Sequence, residues 1–138
     1  MTPEALAALH LRCFEDTPPP WSAGEFSLLL ALPGARLVTR AGGFALAQTA
    51  GPEAELLTIA VDPELRRRGT GRALLETLAE GLAAEGVEEI FLEVAVTNLP
   101  ARALYRAAGY VERGLRRGYY RRRNAPAVDA LVLARAAR

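Results

Sequence analysis

Hydrophobic positions change their period along the chain, and the changes mark its elements. Leu6, Leu9 and Cys13 share one helical face over Pro3–Cys13, with Thr2 placed to cap and Pro3 suited to the first turn, so a helix is expected there. Three prolines between Thr17 and Pro20 then break the pattern. Ser22-Ala23-Gly24-Glu25 has the form of a capping box, with Trp21 and Phe26 at the staple positions, and opens a second helix from Ala23 to about Leu32. Trp21 reads either as that staple or as an aromatic wall where substrate enters. After Pro33-Gly34, Arg36–Arg40 and Phe44–Thr49 read as a short hairpin around Ala41-Gly42-Gly43.

Leu56–Val61 is an apolar, β-branched run expected to be a buried central strand that stops at Asp62-Pro63. A helix should begin near Gly71, with Leu74, Leu75, Leu78, Ala79 and Leu82 on one apolar face over Arg72–Glu85 and Gly86 ending it. Glu89–Val96 alternates: Ile90, Leu92, Val94 and Val96 on one face, Phe91, Glu93 and Ala95 on the other. Glu93 is the anomaly, a carboxylate either at a cleft or facing solvent. Asn98–Ala108 reads as the last helix, with Tyr105 on the face of Ala101 and Ala108. Val111–Gly118 and Ala127–Ala134 read as two closing strands, and Tyr119–Pro126 between them as a polar, aromatic loop. The order strand, helix, strand, helix from Leu56 to Tyr110, finished by strands, indicates a single α/β domain over residues 1–138 with a mixed sheet.

Composition narrows the chemistry. The net charge is +1, and the basic residues gather only at Arg66–Arg72 and Arg113–Arg123, which suits anionic ligands better than a general polyanion surface. All 17 basic residues are arginine, which excludes Schiff-base catalysis by lysine. With one cysteine, Cys13, and one histidine, His10, no disulfide, zinc site, Ser-His-Asp triad or Cys-His pair can be assembled, and no metal is expected. The longest strongly apolar run, Leu28–Leu32, is far below the ~18 residues of a membrane span, and no targeting segment is legible. A soluble, cytoplasmic protein without nucleic-acid or membrane partners is expected.

The glycine-rich stretch carries the clearest chemical signal. In Arg66-Arg67-Arg68-Gly69-Thr70-Gly71 two residues without side chains let successive backbone N–H groups turn inward and converge on an anion. The helix behind adds unsatisfied N–H groups and the positive end of its dipole, so a phosphate or diphosphate is the expected guest. The simpler alternative is a tight turn with solvated arginines. A P-loop would need Gly-Lys-Ser/Thr here, and a dinucleotide fingerprint a third glycine where Leu74 stands.

Arg66, Gly69 and Gly71 satisfy the Arg/Gln-x-x-Gly-x-Gly/Ala signature of the GNAT acetyltransferases. The segments L-L-T-I-A-V-D-P, R-R-R-G-T-G-R-A-L-L, L-E-V-A-V-T-N-L-P-A-R-A-L-Y, A-G-Y and R-R-G-Y-Y follow in order. Across Glu55–Arg135 they resemble the RimI type of that family, bacterial N-terminal acetyltransferases of a ribosomal protein. The resemblance implies the GNAT fold, a mixed central β-sheet flanked by helices, and acetyl-CoA as cosubstrate. It implies that Ile59, Ala60 and Val61 bind the pantetheine arm and acetyl group through strand backbone, and that Arg67, Arg68, Gly69, Thr70, Gly71 and Arg72 form the diphosphate loop. Asn98 falls on an acetyl-CoA contact, although it could equally cap its helix. Glu93 matches the proton acceptor, Tyr105 the proton donor, and Tyr119 and Tyr120 the tyrosines that hold the acceptor backbone.

The implied acceptor is the N-terminal α-amine of a protein, a small-subunit ribosomal protein if the resemblance extends to function. A monomer or weak homodimer is expected. A small-molecule amine or lysine acceptor, or a catalytically silent CoA-binding module, are the other readings. Family folds usually begin with a strand, for which only Met1 and Thr2 precede the first helix here. Thr70 replaces a usual aliphatic residue, which leaves backbone binding of phosphate unaffected. Charge developing on the thioester oxygen would be met by a strand N–H near Val61, freed by a bulge.

Overall fold

The computed structural model describes residues 1–138. Two helices, α1 (Pro3–Cys13) and α2 (Ala23–Leu30), precede the antiparallel strands β1 (Ala35–Arg40), β2 (Gly43–Ala50) and β3 (Glu53–Val61). Then follow α3 (Thr70–Ala84), β4 (Glu89–Ala95), α4 (Leu99–Ala107), β5 (Val111–Arg122) and β6 (Ala125–Ala136). The six strands form one mixed sheet in the order β1-β2-β3-β4-β6-β5, with β3 and β4 its parallel pair. No helix is long and apolar enough to cross a membrane.

Local chemistry accounts for most boundaries. Thr2 caps α1 through Ala5 N–H, and the capping box of α2 is complete, with Ser22 Oγ accepting from Glu25 N–H and Glu25 accepting from Ser22 N–H. Helix α2 stops at Leu30, short of the expected Leu32, because a residue before proline is disfavoured in the helical region. Gly86 ends α3 at φ +91°.

The sheet has helices on both sides. On one face α3 and α4 bury Leu74, Leu78 and Leu82 against Ile90, Leu92 and Val94. On the other, α1 and α2 place Leu6 and Phe26 against Phe44, Leu46 and Ala60. A register shift opposite Leu46 and Ala47 leaves Leu57 as an extra residue in β3. The strand therefore changes sides there: Ala54 and Leu56 pack with α3, whereas Thr58 and Ala60 face α1 and α2. The sequence implies a bulge that frees a strand N–H near Val61 without locating it; the structure places the bulge at Leu57.

A second difference lies at the C-terminal end of the chain. Tyr119–Pro126, expected as a loop, continues β5 and β6 around a turn at Arg123-Asn124. The paired strands absorb two extra residues of β5, since Arg116 faces Ala130 and Tyr120 faces Val128. Gly118 takes φ +61° there, and its N–H donates to Asp129 Oδ1 at 2.8 Å. Arginine and tyrosine content obscured a strand whose outer edge is open to water.

Candidate active site

Strands β3 and β4 are paired only from Glu53–Glu55 to Glu89–Phe91; beyond, they part. Asp62 N–H donates to Gly42 O at 2.7 Å, so by strand alternation Ala60 also points its backbone groups to β2. Ile59 and Val61 then direct theirs to the opposite edge, where no strand pairs with them. The strands part just before the bulge at Leu57, and the amide near Val61 is left free on that edge. The Val61 carbonyl accepts from Cys13 Sγ at 3.4 Å and from Arg66 Nε at 3.3 Å. Ala60 lies in the expected segment but has its backbone committed to β2.

The open edge runs into the loop before α3. Arg67 has φ +65° and Gly69 φ +77°, alternating the handedness of the backbone as a nest of N–H groups requires. Gly69 caps α3 without a side-chain bond, and the first amide bonded into the helix is that of Ala73, to Gly69 O at 2.9 Å. The N–H groups of Thr70, Gly71 and Arg72 are therefore left for a ligand at the positive end of the helix. The two glycines serve different needs. A side chain at Gly69 would meet nothing, so its conformation is the requirement; at Gly71 a Cβ would stand 3.1 Å from Leu104 Cδ2, so the close approach of α4 is. Arg67, Arg68 and Arg72 are exposed.

On the sheet face opposite α3 and α4 lies a cleft of about 380 Å³, lined by Gln48, Glu53, Glu55, Phe91, Glu93 and Val132. Glu93 is thus at a cleft, one of the two places that its position in the strand left open. Its Oε1 accepts from Arg116 Nη1 at 2.7 Å, and Oε2 is buried with no partner in the protein. Tyr120 donates its hydroxyl to the Glu93 carbonyl at 3.3 Å, and its ring stands edge-on to Tyr119 at 5.0 Å. Burial, then the neighbouring Glu93 and Tyr119, push the Tyr120 hydroxyl up to about 12. Burial first, and Glu93 next, also raise Tyr119.

Tyr105 comes from the other side of the sheet, where α4 packs. Only 7% exposed, it lies edge-on to Tyr110 at 5.8 Å. Burial raises its hydroxyl strongly, and Tyr110 and Tyr120 add to the effect. No hydrogen bond joins Tyr105 to Glu93; Tyr120 bonds the Glu93 carbonyl, and its charge, when ionised, would oppose ionisation of Tyr105. Asn98 caps α4, its Oδ1 accepting from Ala101 N–H at 3.2 Å. Trp21 packs as a staple, 5.5 Å from Phe26 and stacked 5.0 Å from His10.

Two site residues escape the sequence. Glu55, raised by burial and then by the charge of Glu93 but lowered by Arg116, looks like an ordinary solvated position of an alternating strand. Its parallel register with Phe91, two residues before Glu93, brings it into the cleft. Arg116 belongs to a basic cluster read as seeking an anion; within it, Arg113 pairs with Glu89 at 2.6 Å and Arg116 with Glu93.

A parted parallel pair beside an anion nest, with a carboxylate-lined cleft on the same sheet, is the arrangement that the chain presents. Residues 4–110 match the acetyltransferase (GNAT) family model, and the chain belongs to that family. It is 47% identical over 81 residues to the ribosomal protein bS18-alanine N-acetyltransferase of Salmonella typhimurium, covering 59% of this chain and 55% of the relative. It is 42% identical over 111 residues to the N-alpha-acetyltransferase RimI of Mycobacterium tuberculosis, covering 74% of this chain and 68% of that protein. Among the curated relatives, the match to the Salmonella protein and to its Escherichia coli counterpart spans little more than half of their length. The crystal structure of the Escherichia coli ribosomal-protein-S18-alanine N-acetyltransferase superposes with a TM-score of 0.78 at 36% identity, over 94% of this chain and 85% of that one.

Proposed function

We propose that this protein transfers acetyl from acetyl-CoA to the N-terminal α-amine of a protein, a small-subunit ribosomal protein. The observation that carries the reading is the single opening in the sheet. It lies between the strand that runs into the nest at Arg67–Arg72 and the strand that carries Glu93, whose carbonyl accepts from Tyr120 beside Tyr119. The amides of Gly69, Thr70, Gly71 and Arg72, with Arg67 and Arg68 around them, hold the diphosphate. Ile59 and Val61 offer backbone groups to the pantetheine arm and to the thioester oxygen, with Ala60 spacing them. The spare amide of Asn98 reaches the same cofactor, while its oxygen caps α4. Tyr119 and Tyr120 border the path of the acceptor, and the exposed edge of Trp21 forms a wall of its approach.

An α-amine, with a reference pKa of about 7.7 to 8.0, is partly neutral near pH 7, whereas a lysine at about 10.4 needs more help. The neutral nitrogen attacks the thioester carbon, and negative charge on the oxygen is met by the Val61 amide. The C–S bond then breaks. The proton leaving nitrogen passes through an ordered water to Glu93, whose Oε2 has no hydrogen-bond partner in the protein and is therefore left to accept one. Burial makes the Tyr105 phenol too weak an acid to protonate a thiolate outright, so Tyr105 donates a hydrogen bond to the departing sulfur, which takes its proton from solvent. Tyr105→Phe should lower kcat by about 10- to 100-fold, the worth of a hydrogen bond to a charged group, and leave acetyl-CoA affinity intact. Isothermal titration beside steady-state kinetics separates the two.

The reading is tested with acetyl-CoA and two peptides, one with a free N-terminal alanine and no lysine, the other N-terminally blocked with an internal lysine. Acetylation of the first alone is expected by mass. Acetylation of the second alone would overturn the α-amine reading, and binding of acetyl-CoA without transfer to either would favour a silent module.

A further inference from the structure

The two oxygens of Glu93 are in different circumstances. One accepts from Arg116; the other is buried without a well-formed hydrogen bond, with the Tyr119 hydroxyl near the carboxylate. Arg116 is not a neighbour of Glu93 in the sheet, since β6 runs between their strands. Glu93 faces Val132, Val132 faces Gly114, and Arg116 faces Ala130, so all five positions lie on one face. The guanidinium reaches Glu93 diagonally across β6, over the small side chain of Ala130 and beside Gly114, which has none.

Its far end is fixed as well. The Arg116 guanidinium carbon stands 4.4 Å from the centre of the Tyr119 ring. The pairing of β5 is irregular between Arg116 and Tyr120, with Gly118 in the left-handed region, and Tyr119 within that stretch lies beside the guanidinium. An exposed ion pair would contribute little. This carboxylate is only 18% exposed, while the Arg116 side chain, 54% exposed, is held on its outer side by the Tyr119 ring.

The last torsion of a glutamate is broad and roughly two-fold, so an unheld carboxylate presents either oxygen in a range of planes. We propose that Arg116 is a positioning residue: by occupying Oε1 it fixes the carboxylate plane and leaves the buried Oε2 as the oxygen that receives the acceptor's proton. The inference rests on Glu93 being the proton acceptor. A purely structural Arg116, pinning the edge strand, would affect stability alone.

The test is a double-mutant cycle with Arg116→Met, Arg116→Lys and Glu93→Gln, read by steady-state kinetics with acetyl-CoA and an alanine-terminated peptide. Arg116→Met should lower kcat by roughly 10- to 100-fold and leave the KM for acetyl-CoA within about twofold, as expected for a misplaced reacting group. Arg116→Lys should recover part of that loss, because it restores one donor. In the Glu93→Gln background Arg116→Met should cost nothing further, since the oxygen it positions no longer accepts a proton. An unchanged kcat in Arg116→Met with a slow Glu93→Gln would overturn the role of Arg116 alone. Equal losses in both backgrounds would also overturn it, leaving a structural contact. A Glu93→Gln enzyme as fast as the parent would remove the proton acceptor itself, and the positioning role with it.

Discussion

Glu93→Gln is expected to lower kcat by about 10²- to 10⁴-fold, the range for loss of a general base, with acetyl-CoA affinity unchanged. The amide is isosteric and can still meet Arg116, so the cleft keeps its shape while losing an acceptor for the proton. The acid limb of the pH–rate profile should flatten together with the fall in rate. Glu55 is the comparison that gives this result meaning. It lines the same cleft, and burial raises its carboxyl before the charge of Glu93 adds to the effect. If Glu55→Gln abolishes turnover and Glu93→Gln does not, the base has been assigned to the wrong carboxylate. If both single variants are slow, the two carboxylates act on one proton path.

Stability should fall between pH 7.5 and pH 5 by about 2 kcal/mol through His10 alone. His10 is fully buried, stacked between Phe14 at 4.1 Å and Trp21 at 5.0 Å. Its Nδ1 accepts from the Trp21 N–H at 3.0 Å, which places the ring proton on Nε2, 3.0 Å from Thr58 Oγ1. Burial lowers the imidazole from 6.5 to about 4, against a smaller opposing effect of Glu25. The unfolded chain therefore binds a proton below about pH 6.5 that the folded chain refuses until about pH 4. Stability contributed by the neutral ring is complete above the unfolded value and lost as pH falls towards the folded one. Urea unfolding of the parent and of His10→Gln at pH 7.5 and pH 5 checks this. Equal pH dependence in the two proteins would mean that His10 does not carry the effect.

The lone histidine shows how much a sequence withholds. Its spacing of four from Leu6 marks the inner face of α1, yet nothing local tells that a strand threonine and a turn amide, 48 and 11 residues away, satisfy both nitrogens. Arg116 was similarly legible only as charge. Its partner lies two strands off, and Tyr119 meets the guanidinium from an irregular stretch of β5.

What the sequence determined by itself is what depends on neighbours along the chain. The caps of α1 and α2, the apolar face of α3, the glycines of the loop and the odd carboxylate in β4 rest on residues a few positions apart, where propensity and period act directly. The tertiary structure decided what depends on pairing between distant strands. The parting of β3 and β4 frees the Ile59 and Val61 edge, the bulge falls at Leu57, and β5 runs on through Tyr119-Tyr120 as a strand. Pairing register is set by the packing of whole faces, so a shift of one residue moves every later side chain to the other side. The loop could thus be read from its letters, while the cleft could be assembled only by the sheet.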